Sequence, residues 1–350
     1  MNALNILADE NIPGLELLCG HWASIKTRPG REICATDLID IDILFVRSVT
    51  AVNSALLQNS NVSFVGSATI GTDHIDIDYL ENAGIKYAHA PGSNANAVVD
   101  YVMSCIARYY HYDELFNETV GIIGAGNVGR RLANCLDHFN INFVIYDPFV
   151  SLKIPQQVND LDDIFNCNIV SLHVPLTVDS DHSTMHFFDH DELRKLNDNC
   201  LLVNTSRGAV INNKSLLSCI NNGQSLNLAL DVWENEPNIS WDLCRRADIS
   251  TPHIAGYSYP GKIRGAEQIV TAAQLFFGIK QCTISTENLV SVSDFTSLED
   301  FFIALAEIYQ VRHDHDLFKH NLELSSEPAQ CFDNYRKNYS HRNEINYEPL

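Results

Sequence analysis

Three polar side chains with complementary chemistry follow three different strand candidates in the second half of the chain. They are Arg207 in Asn204-Thr-Ser-Arg-Gly208, Glu236 in Asp231-Val-Trp-Glu-Asn-Glu-Pro237, and His253 in Thr251-Pro-His-Ile-Ala-Gly256. Ligands of open α/β sheets bind at the carboxyl ends of strands, so the three groups are predicted to meet in one cleft. There an imidazole can take a hydroxyl proton, a carboxylate can stabilise the imidazolium, and a guanidinium can bind a substrate carboxylate. The combination suits hydride transfer.

A glycine-rich turn precedes these residues. Gly124-Ala-Gly126-Asn-Val-Gly129 lies between a strand candidate and a helical pattern, and Asp147 ends the next strand candidate. In this context the glycines let a backbone approach a pyrophosphate, and the helix N-terminus supplies N–H groups and positive dipole. An acid at the end of the following strand accepts hydrogen bonds from a ribose diol and repels a 2′-phosphate. The pattern favours NAD over NADP.

Each of these residues also has a purely structural interpretation. Arg207 suits a surface ion pair, Glu236 a turn before Pro237, and His253 a hydrogen-bonded core histidine. Asp147 precedes Pro148 and suits a turn, and the glycines suit a tight turn without a ligand. The pattern alone leaves these alternatives open.

The elements that must position these residues form two series of alternating strands and helices. Segments 5–9, 43–48, 62–69 and 86–90 read as strands of a first series, and 119–124, 142–147, 169–174, 201–206, 226–232 and 248–253 as strands of a second. Such alternation predicts α/β architecture with two doubly wound, Rossmann-like or flavodoxin-like parallel-sheet lobes. Helical patterns at 95–115 and 262–278 connect the series, which predicts one lobe inserted into the other. The expected domains are 1–94 with 258–285, 95–257, and 286–350.

The last of these segments differs in character. Ser297-Leu-Glu-Asp300 resembles a capping box and introduces an amphipathic helix over 298–311. Its apolar residues are more than a segment of this size buries alone, so we expect them to pack on a partner subunit. These residues are Phe301, Phe302, Leu305, Ile308 and Tyr309.

Composition excludes several classes of partner and compartment. The 350 residues carry a formal net charge of −21, which disfavours binding to nucleic acid or to an anionic membrane surface. No segment has the length and apolarity of a membrane helix, and residues 1–20 do not resemble a secretory signal. The ten cysteines are scattered, which fits reduced thiols in the cytoplasm. No metal site is predicted, because the histidine-rich patches at 182–190 and 313–315 are interpreted as solvated charge.

These motifs, in this order and spacing, resemble the D-isomer-specific 2-hydroxyacid dehydrogenases, and most closely the branch that oxidises 4-phospho-D-erythronate. Further shared stretches are Asp9-Glu-Asn11, Val46-Arg-Ser-Val-Thr50, Val65-Gly-Ser-Ala-Thr69, Gly71-Thr-Asp-His-Ile-Asp76, Ala90-Pro-Gly-Ser-Asn94, His253-Ile-Ala-Gly-Tyr257 and Gly261-Lys-Ile-Arg-Gly265. Tyr335-Arg-Lys-Asn-Tyr339 looks like the extra dimerisation domain of that branch, which implies a homodimer with a small C-terminal α+β domain.

The resemblance implies a role for each matching position. The catalytic residues would be Arg207, Glu236 and His253, and the substrate contacts Ser48, Thr69 and Tyr257. The NAD contacts would be Gly124, Gly126, Asn127, Val128, Gly129, Asp147, Val174, Thr205, Ser206, Asp231 and Gly256. Our own addition is Arg47, because an acidic protein needs a local cation to hold a phosphate; the alternative is an exposed charge.

The resemblance leaves the substrate and one contact open. Val174 stands where the branch has a hydroxyl-bearing threonine, so it offers only a backbone or apolar contact to the cofactor. The expected reaction is NAD-dependent oxidation of 4-phospho-D-erythronate to 3-hydroxy-2-oxo-4-phosphooxybutanoate, a step of pyridoxal phosphate synthesis. The alternatives are another D-2-hydroxy acid, such as 3-phosphoglycerate, or a non-catalytic protein that senses NAD(H).

Overall fold

A computed structural model describes residues 4–178, 180–281, 289–340 and 342–347. The chain divides into two compact units, Met1–Asn94 with Ser258–Asn288 and Ala95–Tyr257 with Leu289–Leu350. Among the described residues, no helix is long and apolar enough to cross a membrane. In this division the C-terminal segment, which was expected to be a domain of its own, groups with the central segment of the chain.

The first unit is built on a five-stranded parallel sheet with strand order β2-β1-β3-β4-β5. The strands are β1 (Leu4–Asp9), β2 (Ala23–Arg28), β3 (Ile43–Val46), β4 (Phe64–Ser67) and β5 (Lys86–His89). The helices of this unit are α1 (Leu15–Cys19), α2 (Ser54–Leu57), α3 (Ile77–Asn82) and α11 (Tyr259–Phe277). Alternate residues of β3 enter two different apolar clusters, so this strand is buried on both faces. Ile43 and Phe45 pack with Ile269 of α11.

The second unit is built on a seven-stranded parallel sheet with strand order β12-β11-β10-β9-β6-β7-β8. The strands are β6 (Thr119–Ile123), β7 (Asn142–Tyr146), β8 (Gln157–Val158), β9 (Ile169–Leu172), β10 (Cys200–Asn204), β11 (Leu226–Leu230) and β12 (Ile249–Ser250). The first strand of the series, β6, lies between β7 and β9. The order therefore reverses at β6, which is the switch point where doubly wound sheets bind ligands.

Helices cover this second sheet and supply its core. They are α4 (Ala95–Tyr109), α5 (Tyr112–Leu115), α6 (Asn127–His138), α7 (Asp162–Phe165), α8 (His190–Lys195), α9 (Asn213–Asn221) and α10 (Trp241–Arg246). Leu132, Cys135 and Leu136 recur at helical spacing on α6 and are buried. Their burial orients the N-terminus of α6 next to the end of β6. The fold class expected from the sequence is confirmed for both sheets.

The described part of the C-terminal segment is helical. It comprises α12 (Leu298–Ile308), α13 (Val311–Leu324) and α14 (Pro328–Lys337), with an isolated β-bridge between Ser291 and Asn346. Phe301, Leu305 and Tyr309 are buried in the same apolar cluster as α4, and Phe302 and Ile308 pack against it. The expectation that this face packs on a partner subunit is wrong, because α4 offers an apolar surface within the chain.

Candidate active site

His253 and Glu236 form a hydrogen-bonded pair in the second unit. The Nδ1 atom of His253 lies 2.7 Å from Oε2 of Glu236, and Oε1 of Glu236 accepts the Trp233 N–H at 2.9 Å. Burial would raise the pKa of Glu236, but the His253 charge and hydrogen bond outweigh it and hold that pKa below its usual range. An ionised Glu236 fixes the Nδ1–H tautomer of neutral His253, which leaves Nε2 to exchange protons. About 33% of the His253 side chain is exposed, so a solute can reach the ring.

Asp231 holds the loop that carries His253. Its buried carboxylate accepts hydrogen bonds from the Thr251 hydroxyl at 2.7 Å, the Ile254 N–H at 2.8 Å and the Ala255 N–H at 2.9 Å. The backbone N–H of His253 bonds to the Asp231 carbonyl at 2.7 Å. Asp231 was expected to contact NAD, and that contact stays a prediction; its carboxylate orders the loop that carries His253.

Arg207 lies on the loop after β10, next to the loop that carries Glu236. Asn204 holds this turn, since its side chain donates to the Arg207 carbonyl at 3.0 Å and accepts the Ser206 N–H at 3.1 Å. A Cβ at Gly208 would lie 1.8 Å from the carbonyl carbon of Trp233, so only glycine permits this approach of the two loops. The loops that carry Arg207 and Glu236 are thus in backbone contact.

The glycine turn joins β6 to α6 as expected. Gly124 has φ +101°, and a Cβ there would lie 2.4 Å from the His173 carbonyl oxygen, so this position requires glycine. Asp147 follows β7, and its carboxylate accepts the Ala125 N–H at 2.8 Å and the Phe149 N–H at 2.9 Å. The turn role of Asp147 is therefore real, and it places the carboxylate against the glycine turn.

The remaining predicted cofactor residues follow neighbouring strands of the second sheet. Val174 comes after β9, Thr205 and Ser206 come after β10, and Gly256 lies in the loop after β12. The hydroxyl of Thr205 lies 3.4 Å from Nδ1 of His173. Burial lowers the pKa of His173 to about 3, so this ring is neutral at the carboxyl end of the sheet.

The predicted substrate residues Arg47, Ser48 and Thr69 lie in the first unit, at the carboxyl ends of β3 and β4, whereas Tyr257 belongs to the second. Ser48 is exposed in the turn after β3, and the Thr69 hydroxyl lies 2.7 Å from that of Ser67. Lys262, in the first turn of α11, is close enough to Arg47 for the two charges to interact. Burial and Arg47 together lower the pKa of Lys262 to about 8.

Comparison with known proteins places this chain in a family. Residues 98–255 match the model of the D-isomer specific 2-hydroxyacid dehydrogenase NAD-binding domain. Erythronate-4-phosphate dehydrogenase of Pseudomonas aeruginosa (PAO1) is 39% identical over 98% of this chain and 93% of its own length. The Escherichia fergusonii protein of the same name is 38% identical over 97% of this chain and 92% of its length. The chain is a D-isomer-specific 2-hydroxyacid dehydrogenase.

Solved structures of low identity share the fold of this dehydrogenase. The TT0316 protein of Thermus thermophilus aligns with TM-score 0.69 at 19% identity, covering 81% of this chain and 100% of that chain. Cofactor-bound 3-phosphoglycerate dehydrogenase of Entamoeba histolytica aligns with TM-score 0.66 at 22% identity, covering 82% and 100%. These likenesses concern architecture, and the family assignment rests on the closer relatives.

The dehydrogenase uses NAD, as the sequence predicted, and the glycine turn fits it. Apart from Gly126 and its two neighbours in the chain, no described residue has a heavy atom within 4 Å of the position that a Cβ on Gly126 would take, so the backbone at the start of α6 is open to a diphosphate. Asp147 stands beside that opening, where a ribose next to the diphosphate needs an acceptor. Among the described residues, no group of His, Cys, Asp and Glu side chains is arranged to hold a metal ion.

Sequence reasoning gave no chemical role to two cations that lie beside predicted site residues. Lys262 lies by Arg47, and Arg336 of α14 lies by Glu236 and Tyr257. Both belong to stretches that carried the family resemblance, Gly261-Lys-Ile-Arg-Gly265 and Tyr335-Arg-Lys-Asn-Tyr339. The presence of a cation in a stretch shared with the family was therefore the signal from which these two residues could have been identified.

Proposed function

We propose that this dehydrogenase oxidises the C2 hydroxyl of 4-phospho-D-erythronate, giving 3-hydroxy-2-oxo-4-phosphooxybutanoate. The observation that carries the proposal is the 2.7 Å pair of His253 and Glu236, on loops at the carboxyl end of the NAD-binding sheet. Relatives that match over nearly the whole chain are named erythronate-4-phosphate dehydrogenases, which supports this substrate. Such a step belongs to vitamin B6 synthesis.

The proposed chemistry divides among three side chains. Nε2 of neutral His253 takes the proton of the C2 hydroxyl, and Glu236 stabilises the resulting imidazolium through its bond to Nδ1. Arg207 binds the C1 carboxylate and polarises the oxygen on C2. The nicotinamide of NAD supplies the hydride acceptor. Ser48, Thr69 and Tyr257 contact the substrate in this proposal.

The phosphate of the substrate is proposed to bind at Arg47 and Lys262. Two neighbouring cations repel each other, and that repulsion contributes to the low pKa of Lys262. A dianionic phosphate between them relieves the repulsion, which a plain 2-hydroxy acid does not. This pair in an otherwise acidic chain supports a phosphorylated substrate.

The experiment is a substrate panel with the purified chain and NAD. NADH formation and trapping of the 2-oxo acid are measured with 4-phospho-D-erythronate, D-3-phosphoglycerate and D-lactate. We expect kcat/KM to be highest for phosphoerythronate. Faster oxidation of phosphoglycerate would move the assignment to that substrate, and NADH binding without turnover of any hydroxy acid would favour a sensing role.

We also propose a homodimer that works in the cytoplasm. Ile303 of α12 and Leu317 and Leu324 of α13 are exposed apolar residues, which supports a subunit contact on the C-terminal helices. Buried thiols such as Cys135 and Cys200 fit a reducing compartment. Light scattering after size-exclusion chromatography measures the subunit number, and a monomer mass would contradict the dimer.

A further inference from the structure

Arg342 of the C-terminal segment packs against the loop that carries His253 and Tyr257. The guanidinium of Arg342 donates to the Ala255 carbonyl at 2.7 Å and stacks 3.9 Å from the ring centre of Tyr309. It also lies 3.4 Å from the carboxylate of Asp100 on α4. Arg342 thereby links the middle of the catalytic loop to α4 and to the C-terminal segment.

Helix α14 and the residues that follow it hold the other side of this loop. The hydroxyls of Tyr335 and Tyr339 both donate to the Asp314 carboxylate of α13, at 2.9 and 2.7 Å. The ring of Tyr257 packs edge-on against Tyr339, with ring centres 5.8 Å apart. The ring of Tyr257 therefore packs on the residues that follow α14, and these are tied to α13 through Asp314.

Arg336 lies between these two tyrosines in sequence, in the last turn of α14, and its side chain reaches the same loop. Its side chain forms a hydrogen bond with Tyr257 and lies close to the carboxylates of Glu236 and Asp231. Its Nε atom is buried and has no acceptor among the described residues. Burial lowers the pKa of Arg336, but Tyr257, Glu236 and Asp231 more than offset this, so the guanidinium stays charged.

We infer that Arg336 is a positioning residue of the dehydrogenase, which orients the Tyr257 hydroxyl and places a fixed positive charge beside the His253–Glu236 pair. The inference rests on the proposed roles of His253 and Glu236. Its physical content is a charge balance. The carboxylates of Glu236 and Asp231 lie beside the His253 ring, whereas the oxidation starts from the neutral ring. The guanidinium of Arg336 offsets part of their negative charge.

The sign of the effect follows from the groups that face the pair. These are Asp231, Arg336 and Tyr257, with Tyr101 and Cys105 of α4 and Tyr339 beyond Asp231. Burial raises the pKa of Tyr101 and Cys105 well above their usual range, so both stay neutral. Removal of the Arg336 charge therefore stabilises the imidazolium and moves the acid limb of kcat/KM for oxidation to higher pH.

The first experiment measures pH profiles of phosphoerythronate oxidation for the full chain and three variants. Arg336→Gln is expected to move the acid limb upward by about half a pH unit to one unit, and Arg336→Lys to restore it. The matched control is Lys337→Gln, which removes a charge from an exposed neighbour on the same helix. An acid limb that stays in place in Arg336→Gln would overturn the inference. If the wild-type chain itself oxidises no hydroxy acid, the result contradicts the proposed function instead.

A second measurement covers the case in which Arg336→Gln does not fold. Tyr257→Phe, Arg336→Lys and the double variant form a cycle for kcat and KM. Because the proposal has Arg336 act through the Tyr257 hydroxyl, the double variant should lose no more than the worse single variant. Losses that multiply would show two independent side chains and would overturn the inference.

Discussion

At the scale of single residues, the chemistry proposed for His253 and Arg207 predicts which substitutions lower turnover. His253→Ala removes the proposed base, and Arg207→Ala removes the group proposed to hold the C1 carboxylate. Turnover of phosphoerythronate should fall on the order of 10²-fold or more in each variant, as measured by steady-state NADH formation. The control is His21→Ala, which changes an exposed histidine of the other unit. Turnover near the wild-type value in either variant would refute the role of that residue.

Asp147 carries the second prediction at this scale, because it combines a turn role with a charge beside the glycine turn. Asp147→Asn keeps an oxygen that can accept one of the two backbone N–H groups and removes the charge that repels a 2′-phosphate. The ratio of kcat/KM for NADP to that for NAD should rise about 10-fold, which corresponds to roughly 1.4 kcal/mol. Asp137→Asn, an exposed acid on α6, is the control. An unchanged ratio would remove Asp147 from ribose recognition.

At the scale of elements, the packing of α12 within the chain predicts where stability resides. Phe301 is fully buried against α4 and α6 residues, whereas Ile303 on the same helix is 58% exposed. Phe301→Ala should lower the free energy of unfolding by about 3–5 kcal/mol in urea titrations, because it leaves a cavity. Glu307→Ala, at an exposed residue of the same helix outside the proposed subunit contact, is the matched control and should change it by less than about 0.5 kcal/mol. A small effect of Phe301→Ala would contradict the core position of α12.

The strands and helix α12 show why some elements were predictable from the sequence and others were not. Strands β3, β9 and β10 are buried throughout and therefore read as continuous apolar runs. Strand β2 was missed because it lies at the sheet edge, where Ala23-Ser-Ile-Lys-Thr-Arg28 keeps mostly polar, partly exposed side chains. Pattern reveals an amphipathic face such as that of α12 but not which surface covers it.

The candidate site divides in the same way. That Arg207, Glu236 and His253 lie on neighbouring loops was predictable, because each follows a strand and parallel strands bring their carboxyl ends to one edge. Arg336 was not, because its approach to Glu236 depends on how α14 packs, far along the chain from β11 and β12. A local motif can indicate a residue that contacts a ligand. A residue that supports such a residue from a distant part of the chain can be identified only from the tertiary structure.

At the scale of the whole molecule, the residues proposed to hold NAD and those proposed to hold the substrate phosphate belong to different units. The glycine turn, Asp147 and the catalytic loop belong to the second unit, whereas Arg47 and Lys262 belong to the first. Each unit has its own sheet and its own apolar clusters. A change in the charge of Lys262 should therefore affect the phosphorylated substrate and leave NAD binding alone.

This separation predicts different pH dependences for the two Michaelis constants. The pKa of Lys262 is lowered to about 8, so its positive charge is present below that pH and is lost as the pH rises through it. The KM for phosphoerythronate should rise above pH 8, because one of two cations that attract the phosphate is lost, while the KM for NAD stays constant.

Lys262→Gln should raise the KM for phosphoerythronate about 10-fold at pH 7 and flatten its pH dependence, as for a lost charged hydrogen bond. The control is Lys280→Gln, an exposed lysine of the same unit. Parallel rises of both constants in the wild type, or an unflattened profile in Lys262→Gln, would contradict the assignment of phosphate binding to the first unit.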